Sequence, residues 1–113
     1  MQQQKKLVKV IGIGPLTVPT SGLSYPFVID AEAGIDPIVK GVLAESAERN
    51  VRLSLKDSRS VYRVNNAAMS TLCQNYLIPI SGRKGSWTAE LSNPTAGPLT
   101  VSFAVVVEYP GLE

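Results

Sequence analysis

Leu99-Thr-Val-Ser-Phe-Ala-Val-Val-Val-Glu-Tyr109 alternates along its whole length. Leu99, Val101, Phe103, Val105, Val107 and Tyr109 fall on one face, while Thr100, Ser102, Ala104, Val106 and Glu108 fall on the other. A period of two with one apolar face predicts a half-buried β-strand, because no helix keeps those six residues together. Pro110 ends the strand, having no N–H to give to a ladder.

Weaker versions of the same pattern recur upstream. Strands are predicted at Leu7 to Ile13, Tyr25 to Ala31, Ile38 to Leu43, Val51 to Lys56, Ser60 to Val64, Tyr76 to Ile80 and Ser86 to Leu91. Gly14-Pro15, Pro19 to Gly22, Ala31 to Pro37, Ser81 to Gly85 and Asn93 to Pro98 supply the turns between them. Asn65 to Gln74 has weak periodicity and reads as a loop with one helical turn. Pro26 marks its strand as an edge or a strand start. About eight short strands and no long amphipathic helix predict an all-β fold, an antiparallel β-sandwich with a jelly roll as its expected form.

At 113 residues the chain reads as one domain, 7–113, preceded by a polar arm over 1–6, and it is long enough to bury a core unaided. A net charge of +2 is too small to announce a nucleic-acid protein. The chain has no histidine and one cysteine, Cys73. That removes Ser-His-Asp and Cys-His nucleophiles, zinc sites built from nitrogen and sulfur, and any intrachain disulfide. No catalytic set, metal or cofactor is expected. Met1 to Lys6 has no apolar segment behind it, so no signal peptide and no membrane span are predicted, and a reducing cytoplasm is the expected place of synthesis.

Three local patterns resemble functional motifs. Val51 to Lys56 and Ser60 to Val64 read as a hairpin turning at Asp57-Ser58, which places Lys56 opposite Arg59 and Arg52 opposite Arg63. Tyr62 then faces inward with Val64. The plainest reading of that basic face is a solvated, edge-protecting surface; an acidic protein partner comes second and nucleic acid third. Asp30-x-Glu32-x-Gly34-x-Asp36 begins like a calcium loop, but Gly41 stands where the bidentate Glu is needed. Gly12-x-Gly14-Pro15 follows a strand but lacks the third glycine of a dinucleotide loop, and reads as a bulge. Arg83-Lys84 reads as a solvated hairpin tip. Trp87 is expected in the core; if exposed, it would join Tyr76 and Tyr25 as a stacking platform for a sugar ring.

Val8 and Val10 in the first strand, and Ala104 and Val106 in the last, put apolar groups on faces that a sandwich should keep polar. Subunit contact would cover them, as would the loop from Gly14 to Ser24.

Tyr76-Leu-Ile-Pro-Ile-Ser-Gly-Arg83, Ser86 to Leu91 and the strand ending at Tyr109 resemble the closing strands of small viral jelly-roll proteins, the penton-type and capsid-decoration proteins of bacteriophages. The resemblance covers about a third of the chain, carries no functional residue, and finds no counterpart for Leu7 to Ser24. It implies a structural protein of the virion, a decoration, cement or vertex subunit forming a trimer or pentamer and fastening a major capsid or other virion protein. Lys5, Lys6, Arg52, Lys56, Arg59 and Arg63 are the expected docking residues for an acidic neighbour. On this reading, deleting Met1 to Lys6 weakens docking and spares the fold. The alternative is a carbohydrate- or peptide-binding module using Trp87, Tyr76 and Tyr25.

Overall fold

A computed structural model describes residues 6–44, 50–73 and 77–111. In chain order the elements are β1 (Lys6–Val18), β2 (Leu23–Ile29), β3 (Ile38–Ala44), β4 (Arg52–Lys56), β5 (Tyr62–Ala68), α1 (Met69–Leu72), β6 (Ile78–Pro79), β7 (Gly85–Ser92) and β8 (Leu99–Pro110). They form two four-stranded sheets, ordered β1-β8-β3-β6 and β2-β7-β4-β5, with every pairing antiparallel. The pairs β1–β8, β2–β7, β3–β6 and β4–β5 are those of one long hairpin ribbon rolled on itself, and this order is that of a jelly roll.

The alternation of β8 explains its central place. Val101, Phe103, Val105, Val107 and Tyr109 are buried against Trp87, Ala89, Leu91, Leu53 and Leu55 of the other sheet. Each large apolar side chain fully buried there contributes about 1.5–3 kcal/mol. Tyr109 keeps its polar tip satisfied by donating its hydroxyl to the carbonyl oxygen of Asp30 at 2.8 Å.

Strand β1 runs on past the bulge at Gly14-Pro15 to Val18, with its register against β8 shifted between Ile13 and Leu16. Strand β2, with Pro26, is an edge, as its proline requires. The stretch from Asn65, expected as a loop with one helical turn, continues β5 to Ala68 in place of the loop and then makes the helical turn as α1, whose Met69 and Leu72 are buried. The strand expected from Tyr76 reduces to Ile78–Pro79, with Tyr76 itself outside the described residues.

The hairpin register differs from the sequence reading. Lys56 pairs with Tyr62, not Arg59, and Arg52 pairs with Ala68, not Arg63. The cause is the Asp57 carboxylate, which accepts the backbone N–H of Arg59 at 2.9 Å and of Val61 at 3.0 Å. These bonds close a wider turn, in which the Asp57 N–H also donates to the Val61 oxygen. Between Val64 and Tyr62 the partner strand advances one residue while β5 advances two. The extra residue, Arg63, flips Tyr62 to the outer face, where it is exposed while Val64 stays buried.

Candidate assembly surface

The outer faces of the two sheets differ in character. On the β2-β7-β4-β5 sheet, the register that turns Trp87, Ala89 and Leu91 inward turns Ser86, Thr88, Glu90 and Ser92 outward, beside Arg52, Ser54 and Lys56 of β4. The Tyr62 hydroxyl donates to Glu90 Oε1 at 2.7 Å, and Lys56 Nζ stands 5.8 Å above the Tyr62 ring. Apart from Val28 of β2, which lies opposite Ser86 and is 54% exposed, this is the polar outer face expected of a sandwich in water.

The β1-β8-β3-β6 sheet is different. Its outer positions fall in three rows across β1, β8 and β3: Val8, Glu108, Ile38; Val10, Val106, Gly41; Gly12, Ala104, Leu43. Val8, Val10 and Ile38 are 52%, 61% and 47% exposed. The segment from Gly14 to Ser24 therefore does not cover Val8 and Val10. Leu77 packs over Gly41: a Cβ there would lie 2.5 Å from the Leu77 Cγ and 2.6 Å from the Ile78 oxygen. The apolar strip left open runs from β1 across Val106 towards Ile38, with Glu108 standing between Val8 and Ile38.

The edge beside this strip is guarded. Strands β1 and β2 end their sheets on the same flank, and Lys9, which shares the inward face with Leu7 and Ile11, reaches out to pair with Glu32. That hydrogen bond raises the Lys9 ammonium above the usual lysine value. An inward-pointing charge on an edge strand discourages pairing with another strand, so contact through the face is favoured over contact through the edge.

The residues expected to form one basic patch are dispersed. Arg52 donates to the Asn66 carbonyl oxygen at 2.7 Å, Lys56 sits over Tyr62, and Arg63 Nε pairs with Asp57 Oδ2 at 2.9 Å. Arg59 lies at the end of the sandwich, on a cavity shared with Arg83 and Lys84. Lys5 lies outside the described residues, and Lys6 opens β1 opposite Pro110. Of the three rings expected as a platform, Tyr76 lies outside the described residues. Trp87 is fully buried, tilted against Phe27 with centroids 6.2 Å apart, while Tyr25 is partly exposed on edge strand β2. Of the acidic loop, Glu32 is taken by Lys9, and Asp36 by Lys84 at 2.8 Å.

Sequence reasoning found the apolar strip through Val8, Val10 and Val106, whereas Ala104, expected beside them, is buried; it missed Ile38 and the joining of Arg59 with Arg83 and Lys84. The signal for the second was the strand order, which brings the β4–β5 and β6–β7 loops to one end. Comparison of the chain with family models, curated proteins and solved structures gave no match.

Proposed function

We propose that this chain is a structural subunit that assembles with copies of itself through the outer face of its β1-β8-β3-β6 sheet, in the role of a virion decoration, cement or vertex protein. The observation that carries the reading is the clustering of exposed aliphatic side chains on this face, Val8, Val10 and Ile38 about half exposed around Val106, where the opposite face exposes Val28 and Tyr62 among polar side chains. Burial of such a strip between subunits contributes about 25 cal/mol per Å² of apolar area. A jelly roll of this strand order is an architecture that capsid domains use, and the resemblance of the closing strands points the same way. The major capsid or other virion protein would then be met by surfaces that the self-contact leaves free.

Light scattering at two salt concentrations tests this. The expected result is a trimer or pentamer that persists at high salt, because apolar contacts are not screened. The Val8→Lys/Val10→Lys double variant is expected to be a folded monomer, with stability changed by no more than about 0.5 kcal/mol per substitution at these exposed sites. A wild-type chain that is monomeric at both salts overturns the self-assembly reading, as does an oligomer that the double variant leaves intact.

A further inference from the structure

At the end of the sandwich where the β2–β3, β4–β5 and β6–β7 connections meet, a cavity of about 530 Å³ is lined by Asp36, Ile38, Ser58, Arg59, Arg83 and Lys84. We infer that this cavity is a docking site for an extended acidic peptide segment of a partner protein.

Charge selects the ligand. Lys84 is neutralised by Asp36, but the Arg59 and Arg83 guanidinium groups have no partner among the described residues. Two free planar forks on one cavity match carboxylates, which they bind in bidentate fashion. The volume lies in the range of ligand sites. Pro37 adds an apolar wall for the stem of a Glu side chain. Nucleic acid fits less well, because two unpaired cations are few and no aromatic ring lines the cavity for a base to stack on.

The site is also built. The Ser58 hydroxyl donates to the Lys84 carbonyl oxygen at 3.2 Å, tying the two cationic loops together. Trp87 Nε1 donates to the Arg83 oxygen at 2.8 Å. Gly82 lies flat on the Trp87 ring, where a Cβ would come within 2.3 Å of the indole. On the opposite loop the Asp57 carboxylate holds the Arg59 backbone N–H. Loops fixed in this way lose little freedom when a ligand arrives.

A fluorescein-labelled hexaglutamate peptide, titrated with the full chain and followed by anisotropy, tests the inference. The expected result is binding that weakens with salt, falls about tenfold in Arg59→Gln and again in Arg83→Gln, and changes less than about twofold in Arg52→Gln or Lys56→Gln. Arg59 and Arg83 are exposed, so both variants are expected to keep the wild-type circular dichroism spectrum. Absence of peptide binding overturns the inference. So does binding unchanged in the Arg59→Gln/Arg83→Gln double variant, tighter binding of an oligothymidylate of equal charge, or displacement of the peptide by inorganic phosphate at matched charge concentration. The Val8→Lys/Val10→Lys variant is expected to bind the peptide like wild type, which separates this inference from the self-assembly reading.

Discussion

The indole Nε1 of Trp87 donates to the carbonyl oxygen of Arg83 across 2.8 Å, so the largest fully buried side chain of the core also fixes a surface loop. The bond links two jobs of one residue. Its ring fills the core between the sheets, and its only polar atom holds the loop carrying Arg83 and Lys84.

Replacing Trp87 with Phe keeps most of the ring but removes the donor. The Arg83 oxygen is then left unpaired beneath its loop, and the smaller ring leaves a gap beside Gly82. A loss of about 1–3 kcal/mol is expected. The urea midpoint by far-ultraviolet circular dichroism measures it, with an unchanged slope indicating an intact fold.

Asp57 sets the turn and brings a pH dependence. Burial pushes its carboxyl up, but the N–H of Val61, the Arg63 guanidinium and the N–H of Arg59 together outweigh that and hold it below the usual carboxylate range. A folded-state pKa below the unfolded one contributes stability that is complete above the unfolded value and is lost as pH falls through the folded one. Asp57→Asn keeps an acceptor but loses the charge facing Arg63, for a cost of about 1–2 kcal/mol at neutral pH. Midpoints taken at pH 7 and at about pH 2 should converge for wild type and variant at the acid end.

Gly41 is held small by its neighbours. Its added Cβ would meet the Leu77 side chain at 2.5 Å and the Ile78 carbonyl at 2.6 Å. Leu77 can swing aside, but the backbone oxygen cannot without disturbing the β3–β6 pairing. Gly41→Ala is therefore expected to cost about 1–3 kcal/mol by overpacking. Because Leu77 sits on the outer face beside Val106, the same substitution should also lower the mass of the assembly measured by light scattering.

What the sequence made legible follows from the range of the interactions involved. Strand β8 alternates over eleven residues, and its inward face is legible because burial against the other sheet sets that alternation and no bulge on β8 interrupts it. The β4–β5 hairpin was misread because a single carboxylate, Asp57, overrules the period by closing a wider turn, and bulges then flip Tyr62 outward. A period-two count has no means of registering one extra residue. The apolar strip was half visible, since Val8, Val10 and Val106 break the polar alternation, whereas Ile38 joins them only through the β3–β8 register. The meeting of Arg59 with Arg83 and Lys84 was not legible at all. It depends on the rolled ribbon bringing loops more than twenty residues apart to one end.

Asn93 closes the other end of the sandwich, and its chemistry allows a pH reversal to be predicted. Its buried Nδ2 donates to the carbonyl oxygens of Val18 at 2.9 Å and Gly97 at 3.0 Å. Its Oδ1 accepts the Thr95 N–H at 3.0 Å and the Thr95 hydroxyl at 2.6 Å. The side chain thus staples the end of β1 to the β7–β8 turn with all of these contacts made. Asn93→Asp keeps the acceptor but sets a second carboxylate oxygen against two carbonyls, at a cost of about 3 kcal/mol at neutral pH. Burial and that repulsion raise the new carboxyl's pKa in the folded state above its unfolded value of about 3.9. Protonation then favours the folded chain, and the acid O–H can donate to one of the two carbonyls. Stability of the variant should therefore rise as pH falls from 7 to about 4.5, the reverse of the usual carboxylate behaviour. The Asp57 contribution stays nearly constant over this window, because both its unfolded value of about 3.9 and its lower folded value lie below it. Urea midpoints that rise on acidification in Asn93→Asp and not in wild type meet the prediction, and parallel curves for the two proteins refute it.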